Sequence, residues 1–490
     1  MAKPTTLLAF DLGASSGRAI IGEFDGYKIS LTEIHRFPNV PLWKNGTLYW
    51  DFPKLLNEIK QGLTKSKPFG KLDGIGIDTW GVDFGLLDKN GKLLENPVHY
   101  RDGRTARALP ALDKKIGLTA LYERTGTQLM SHNTICQLAA LAEQKPDLLK
   151  RADALLMIPD LFAYFLCGVK QCESSAASTV GLTDVNGKGW LYDIADMCGI
   201  PRRLFQPIIP SGTRSGKLLP SLCGELEIEP SEVIAVCGHD TQCALAAVPA
   251  TEKDFAFLSS GTWSLLGAEL DNPIVNTDDR YKITNERGFE NKVSFLKNLT
   301  GLWLLQQLKS EWEARGEHLC FAEMEALARN APPFVSFIDT DAPRFAEVGG
   351  TEQAILDYCA ETAQPVPQNK AAVLRAVYES LAMKYRYAFY ELQKSTEKSY
   401  GRLYLVGGGV KDATLCQMTA DACGIKVVAG ASEATVLGNL VIQLSALGKI
   451  GGLNEARKIA AASSKTQIYK PRTAPLWQSA YKKYLLSTVK

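Results

Sequence analysis

The sequence predicts an α/β protein of two similar halves, and three observations carry the prediction. The chain has 490 residues, too many for one hydrophobic core and enough for two large domains. A strand, a turn of small residues and a second strand occur near Asp11 and return near Ser259, about 250 residues later. The C-terminal part alternates apolar β-like runs with helical patterns and places glycines at the joints.

Taken in order, Leu7–Asp11 is an apolar run that ends in Gly-Ala-Ser-Ser-Gly and resumes as Arg18-Ala-Ile-Ile-Gly-Glu-Phe. This pattern is a strand, a tight turn and a strand. Over Thr134–Lys150, Ile135, Leu138, Leu141 and Leu148 recur near helical spacing and predict a helix. At Phe255 the first layout returns as Phe-Ala-Phe-Leu, Ser259-Ser-Gly-Thr262 and Trp263-Ser-Leu-Leu-Gly. Such a long separation predicts two similar halves facing one another, with a boundary near Val248–Lys253 and domains over 1–248 and 249–490. The polar, proline-bearing stretch Asn330–Lys370 reads as loops and short elements, and Ala371–Gln393 as a core helix. Leu403–Val406 then reads as a strand, followed by Gly407–Gly409, a helix from Ala413, a strand Ile425–Val428 and a helix Ala434–Leu447.

Composition narrows the function classes. Hydrophobic residues at 46% and charged residues at 22% are ordinary for a soluble globular chain. A net charge of +2 gives no general electrostatic reason to bind nucleic acid or an anionic membrane, and Lys482 and Lys483 read as a solvated helix face. The start, MAKPTTLLAFDLG, enters a strand-like segment without the charged and apolar regions of a signal peptide, and no apolar run has membrane-spanning length. The eleven cysteines have neither Cys-x-x-Cys pairs nor histidines at zinc spacing. They read as small buried hydrophobes of a reducing cytoplasm.

Five segments carry candidate chemistry. Asp11-Leu-Gly-Ala-Ser-Ser-Gly-Arg18 sets a carboxylate at a strand end beside backbone N–H groups that an anion could approach, as a hydrated magnesium ion with a phosphate chain requires; an ordinary hairpin reads the same way. It is neither a Walker loop nor a dinucleotide fingerprint, because no lysine follows the glycines and no helix follows the turn. Ser259-Ser-Gly-Thr262 repeats the turn, although Thr262 could simply bond its own backbone. Gly407–Gly409 could lie flat against a base or ribose, or be a plain loop. Gly238-His-Asp240-Thr follows the apolar run Ile234–Cys237, which offers a carboxylate to take a hydroxyl proton or, alternatively, a helix cap. Finally, Ile75–Phe84 holds Asp78 and Asp83 within β-like sequence, a costly burial unless they pair or bind a polar ligand such as a polyol; Trp80 could equally be core.

The ordered set DLGASSGR, IGIDTWGVDF, Tyr100-Arg-Asp-Gly-Arg-Thr, GHDT, LSSGTWSLLG, Lys297-Asn-Leu-Thr-Gly-Leu-Trp-Leu-Leu-Gln306 and LVGGG resembles the FGGY family of carbohydrate kinases, from about residue 7 to residue 445. The resemblance implies two actin-like, ribonuclease-H-like ATPase domains with the active site in the cleft between them, the N-terminal one binding sugar and the C-terminal one nucleotide. It implies ATP and magnesium as cofactors, a small-molecule ketose as partner, no nucleic acid or membrane, and a monomer or weak homodimer. By the same likeness Asp240 is the catalytic base, and Gly81, His239, Thr241 and Asn298 line the sugar site with it. Ala14, Ser15, Ser16, Gly17, Arg18, Thr262, Gln306, Gly407, Gly408 and Gly409 would hold the nucleotide, and Asp11 would organise magnesium through water. Where the family usually carries a lysine and a tryptophan, this chain reads Asn133-Thr-Ile-Cys-Gln137-Leu-Ala-Ala, which narrows the resemblance to deoxyketose kinases. The expected reaction is therefore phosphorylation of L-rhamnulose at C1. L-fuculose is the alternative substrate, and a non-enzymatic actin-like switch is the remaining rival.

Overall fold

The computed structural model describes residues 4–279 and 282–488. The chain divides into two compact units, one comprising Met1–Pro249, Leu270–Phe295 and Glu433–Ser464, the other Ala250–Glu269, Leu296–Ser432 and Lys465–Lys490. Among the described residues no helix is long and apolar enough to cross a membrane.

In the first unit the sheet is built from β1 (Thr5–Leu12), β2 (Ser16–Phe24), β3 (Ile29–Pro38), β4 (Gly74–Thr79), β5 (Thr213–Lys217) and β6 (Glu232–Ala235), in the order β5-β6-β4-β1-β2-β3. The neighbours β1, β2 and β3 are antiparallel, β4 and β6 run parallel to β1, and β5 is antiparallel to β6. Leu7, Leu8, Ala9, Phe10 and Leu12 are all buried, which is why β1 reads as a continuous apolar run and not as an alternation. One covering helix, Phe52–Lys65, starts with Asp51 accepting from the Lys54 N–H and packs Phe52, Leu55, Ile59 and Leu63 into the core at helical spacing. The helix Ala434–Ala446 also lies against β1 and β4. Its approach needs Gly76, because a Cβ there would stand 2.4 Å from Asn439 Oδ1.

The second unit repeats this plan in six strands of a seven-stranded sheet, β7 (Ala256–Ser260), β8 (Trp263–Leu270), β9 (Val293–Thr300), β10 (Arg402–Val406), β11 (Lys426–Ala429) and β12 (Gln467–Tyr469), in the order β9-β8-β7-β10-β11-β12, with Thr284–Arg287 as the further strand next to β9. Here β7 and β8 are antiparallel, β10 is parallel to β7, β11 is parallel to β10, and β12 is antiparallel to β11. A hairpin and its neighbour followed by two parallel strands and an antiparallel edge is thus common to both units. The long helix Lys370–Thr396, capped by Asn369 accepting from the Ala372 N–H, buries Val373, Leu374, Val377, Leu381 and Leu392.

Several elements differ from the sequence reading. The helical pattern over Thr134–Lys150 is two helices, Thr134–Gln144 and Pro146–Arg151, because Pro146 has no N–H to continue the first. The stretch Asn330–Lys370 contains a full helix, Thr351–Glu361. The run Ile75–Phe84 is not one strand: β4 stops at Thr79, and pairing resumes at Phe84–Leu87 after a loop in which Val82 has φ 67°. The run Ile234–Cys237 is shifted, with β6 ending at Ala235.

Candidate active site

The ends of three neighbouring strands of the first unit gather the candidate residues. Asp11 sits opposite Asp78 across the parallel pair β1 and β4, and opposite Arg18 across the hairpin. Arg18 binds the Asp11 carboxylate at 2.5 Å and Glu433 at 2.5 Å, and the two acids hold its proton more tightly against the effect of burial. The turn between the strands closes with the Gly13 N–H donating to Ser16 O at 2.9 Å; Ala14 and Ser15 are exposed. Gly17 is packed under Phe37, whose ring leaves only 2.3 Å for a Cβ.

Beyond β4, Thr79 bridges to His239 in the direction of the parallel sheet, and its N–H donates to Gly238 O at 2.8 Å. This contact delivers the Gly238–Thr241 segment to the same sheet edge as Asp11. Asp240 opens the helix Asp240–Ala246, where the exposed N–H groups favour a carboxylate. Thr241 Oγ1 donates to Asp240 Oδ1 at 3.2 Å. Burial raises the pKa of Asp240; the His239 cation opposes this and Asp11 adds to it.

His239 is held on three sides. Its Nδ1 lies 2.9 Å from Glu286 Oε2, its N–H donates to Ser175 Oγ at 3.1 Å, and its Nε2 stands 3.6 Å from Asp240 Oδ1. Burial works against the imidazolium, but the charge and hydrogen bond of Glu286 outweigh it and bring the pKa up to about 9. Gln242 Nε2 donates to the same Glu286 oxygen at 2.9 Å, and Ser294 Oγ donates to Gln242 Oε1 at 2.7 Å.

Gly81 lies within the same group. A Cβ on it would meet Thr179 at 3.1 Å and the His239 ring at 3.5 Å. The loop around it is fixed by Asp83, which accepts from Trp50 Nε1 at 2.6 Å, Gln137 Nε2 at 2.8 Å, Trp80 Nε1 at 3.1 Å and the Tyr100 N–H at 3.1 Å. Even with four donors, burial pushes Asp83 up to about 6. Its lone pairs are occupied by the protein, so Asp83 shapes the loop and Trp80 is core. Asp78 differs: Asn439 Nδ2 donates to one oxygen at 2.6 Å, and the other, buried, has no hydrogen bond. Burial and then Asp11 raise its pKa well above the usual carboxylate range.

The second unit carries the remaining residues. Thr262, in the β7–β8 turn, donates to Gln306 Oε1 at 3.2 Å from the helix Trp303–Ala314. Gly407 has φ 86°, and a Cβ there would stand 2.8 Å from Ser260 O; a Cβ on Gly409 would be 2.2 Å from Ser260 Oγ. The triple glycine, Gly408 included, is therefore set by close approach to the β7–β8 hairpin, and the two turns form one surface of the unit. Asn298 lies on β9.

Sequence reasoning did not assign Glu286, Glu433 or Asn439 a place in the site. Glu286 is 47 residues from His239 and Asn439 is 361 from Asp78, and no local pattern reports such a pairing.

Two repeated sheets, each with its turns at the ends of parallel strands, and a histidine–aspartate pair at one of those ends frame the candidate site. The chain belongs to the FGGY family of carbohydrate kinases: the family's N-terminal domain matches residues 6–247 and its C-terminal domain residues 256–447. It is similar to proteins named Rhamnulokinase from Bacteroides thetaiotaomicron, 38% identical over 96% of this chain and 97% of the relative, and from Halalkalibacterium halodurans, 41% identical over 92% and 96%. In fold it matches a ligand-bound xylulose kinase from Lactobacillus acidophilus, with TM-score 0.83, 16% identity and coverage of 98% of this chain and 96% of that one. It also matches a Plasmodium falciparum glycerol kinase with ADP, with TM-score 0.79, 15% identity and coverage of 99% and 98%.

Proposed function

We propose that this chain transfers the γ-phosphoryl group of ATP to the C1 hydroxyl of L-rhamnulose, giving L-rhamnulose 1-phosphate and ADP. The observation that carries the reading is Asp240, a carboxylate beside a histidine whose charge is fixed by Glu286. In this role Asp240 accepts the C1 hydroxyl proton as the oxygen attacks phosphorus, and a proton affinity raised by burial suits that task. With Nδ1 engaged by Glu286, His239 presents Nε2–H to a sugar hydroxyl or to the developing charge. Gly81 leaves room for the ketose against Thr179 and His239, and Thr241 and Asn298 complete the sugar set.

In this reading residues 1–248 bind the sugar and 249–490 the nucleotide. Ala14–Arg18, Thr262, Gln306 and Gly407–Gly409 hold the triphosphate and nucleoside through backbone N–H groups and close-packed turns. The residues suit a magnesium ion: burial and the neighbouring Asp11 charge raise the proton affinity of both Asp78 and Asp240, and the buried second oxygen of Asp78 has no hydrogen bond. Asp11 would hold the ion through water, and when bound it neutralises phosphate charge. The activity is assigned to the cytoplasm, where the free cysteines stay reduced.

The test is ADP release with ATP, magnesium and L-rhamnulose, with the product examined by phosphorus–proton correlated NMR. Coupling of the new phosphate to the C1 methylene protons is expected. Absence of ketose-dependent ADP release, or a phosphate on another carbon, overturns the reading.

A further inference from the structure

The first unit contains a cavity of about 810 Å³ that includes none of the residues assigned to catalysis or to nucleotide. Its walls come from the hairpin around Thr183–Trp190, the short helix Ser174–Ser178 and the strand Thr284–Arg287. We propose that this cavity is a second ligand site, for a phosphorylated polyol.

The anion end is made by Arg287. This half-buried guanidinium lies under Gly187, where a Cβ would stand 3.4 Å from Nη2, and it donates to Val185 O. Among the described residues no ion pair is formed by Arg287, and burial lowers its hold on its proton. A cation half-withdrawn from water, with no ion pair and only the Asp184 charge acting on it, is stabilised by an arriving anion. Lys188 at the hairpin tip is a second cation on the same wall. The carboxylate of Asp184 is the opposing charge, and one of its oxygens is occupied by the Asn186 N–H at 2.9 Å. Two cations against one partly satisfied acid favour a phosphate.

The polyol end is aromatic. Trp190 is locked by its Nε1–H donating to Gln206 O at 2.7 Å and by packing on Phe205 at 4.9 Å between centroids; Tyr192 stands at the same rim. Fixed aromatic walls beside directed polar groups are what a sugar ring requires, and the volume lies within the range of small-molecule sites. The rim is preformed. Asp184 N–H donates to Gly189 O at 2.9 Å, and the hairpin turns through Gly187 at φ 80° and Gly189 at φ 110°. Neither conformation suits a residue with a side chain.

The strand couples this cavity to the sugar site. Successive strand side chains point to opposite faces, so Arg287 and Asn285 face the cavity while Glu286 between them faces His239. The Arg287 N–H also donates to Ser178 Oγ at 3.0 Å, on the helix whose Ser175 accepts from the His239 N–H. Occupancy of the cavity is therefore felt at the residue that binds the ketose. The proposal does not depend on which ketose that is.

The experiment is isothermal titration of the full chain, with ketose saturating the catalytic site, using D-glucose 6-phosphate, D-fructose 6-phosphate, D-ribose 5-phosphate, inorganic phosphate and D-glucose. At least one sugar phosphate is expected to bind saturably to wild type and to Asp240→Asn alike, and more tightly than phosphate or glucose. Affinity should fall about tenfold or more in Arg287→Gln. Lys188→Ala, on the exposed tip, should weaken binding by a smaller factor and serves if Arg287→Gln does not fold. The bound sugar phosphate should change the KM for ketose in wild type, and in Lys188→Ala only at correspondingly higher concentration. No saturable binding of any sugar phosphate at millimolar concentration overturns the proposal. So does phosphate binding as tightly as its sugars, binding untouched by both variants, or a ketose KM that ignores occupancy.

Discussion

At the scale of single residues, Asp11 and Asp240 lie at the same sheet edge, and their neighbours give them different chemistry. Asp11 is neutralised by Arg18, which fits an acid that orients a hydrated ion, whereas Asp240 faces His239 and has its proton affinity raised by burial. Asp240→Asn keeps the size and removes the base, so kcat should fall by roughly 10²–10⁴ while ketose binding is largely kept. Asp11→Asn should instead raise the magnesium concentration needed for half-maximal rate. Steady-state kinetics with a magnesium titration separates the two, and near-normal turnover in Asp240→Asn would remove it as the base. His239, at about 9, sets a further expectation. Its pKa is raised on folding, so the His239–Glu286 pair stabilises the protein fully below the ordinary value of 6.5 and loses that contribution as pH rises to about 9. The contribution is about 3 kcal/mol. Urea unfolding of Glu286→Gln should therefore lie well below wild type near pH 6, with the gap closing near pH 10; a pH-independent gap would mean that the histidine is not charged in the fold. Asp240 and His239 were legible because they adjoin in sequence behind an apolar strand. Glu286 was not, because a long-range ion pair leaves no local pattern.

Elements were legible where one periodicity ran undisturbed, as in β1, β7 and the helix Lys370–Thr396. They were misread where a single residue broke the pattern, at Pro146 and at Val82. The most demanding contact between elements is invisible in sequence: the helices Asp240–Ala246 and Ala434–Ala446 pack so closely that a Cβ on Gly438 would stand 1.7 Å from Cys243 O. A backbone carbonyl cannot move aside as a flexible side chain can. Gly438→Ala must therefore push the helices apart, at a cost of roughly 1–3 kcal/mol or more. One of these helices begins with Asp240, and the other carries Asn439, the donor to Asp78. The substitution should thus lower the melting temperature by several degrees and reduce kcat more than it raises the KM for ATP. A stability loss with unchanged kcat would show that this packing does not position Asp240.

For the whole molecule, the shared sheet order of the two units is the physical content of the hairpin repeat at Asp11 and Ser259, and the family match sets the class of chemistry without choosing the sugar. In the proposed reading that choice rests on segments from separate parts of the chain: the loop Trp80–Asp83, the Asn133–Gln137 segment bonded to it, and the His239–Glu286 pair. Asp83 and Gln137 fix the loop backbone through Val82 O and the two tryptophans, so the polar groups that meet the ketose are held and cannot adapt to a misplaced hydroxyl. A ketose with one inverted hydroxyl leaves a buried donor or acceptor unpaired, which costs roughly 1–3 kcal/mol, or about 5 to 150-fold in kcat/KM. L-rhamnulose should accordingly be preferred to its epimer L-fuculose within that range, and also to L-xylulose, which lacks the terminal methyl carbon, with measurable turnover of both. Gln137→Leu removes the Asp83 and Val82 contacts together, frees the loop, and should narrow the preference more than it lowers the rate on the best substrate. The measurement is kcat/KM for each ketose at saturating ATP and magnesium, in wild type and in Gln137→Leu. A tenfold preference for L-fuculose would reassign the substrate, and an unchanged ratio in the variant would place discrimination outside this loop.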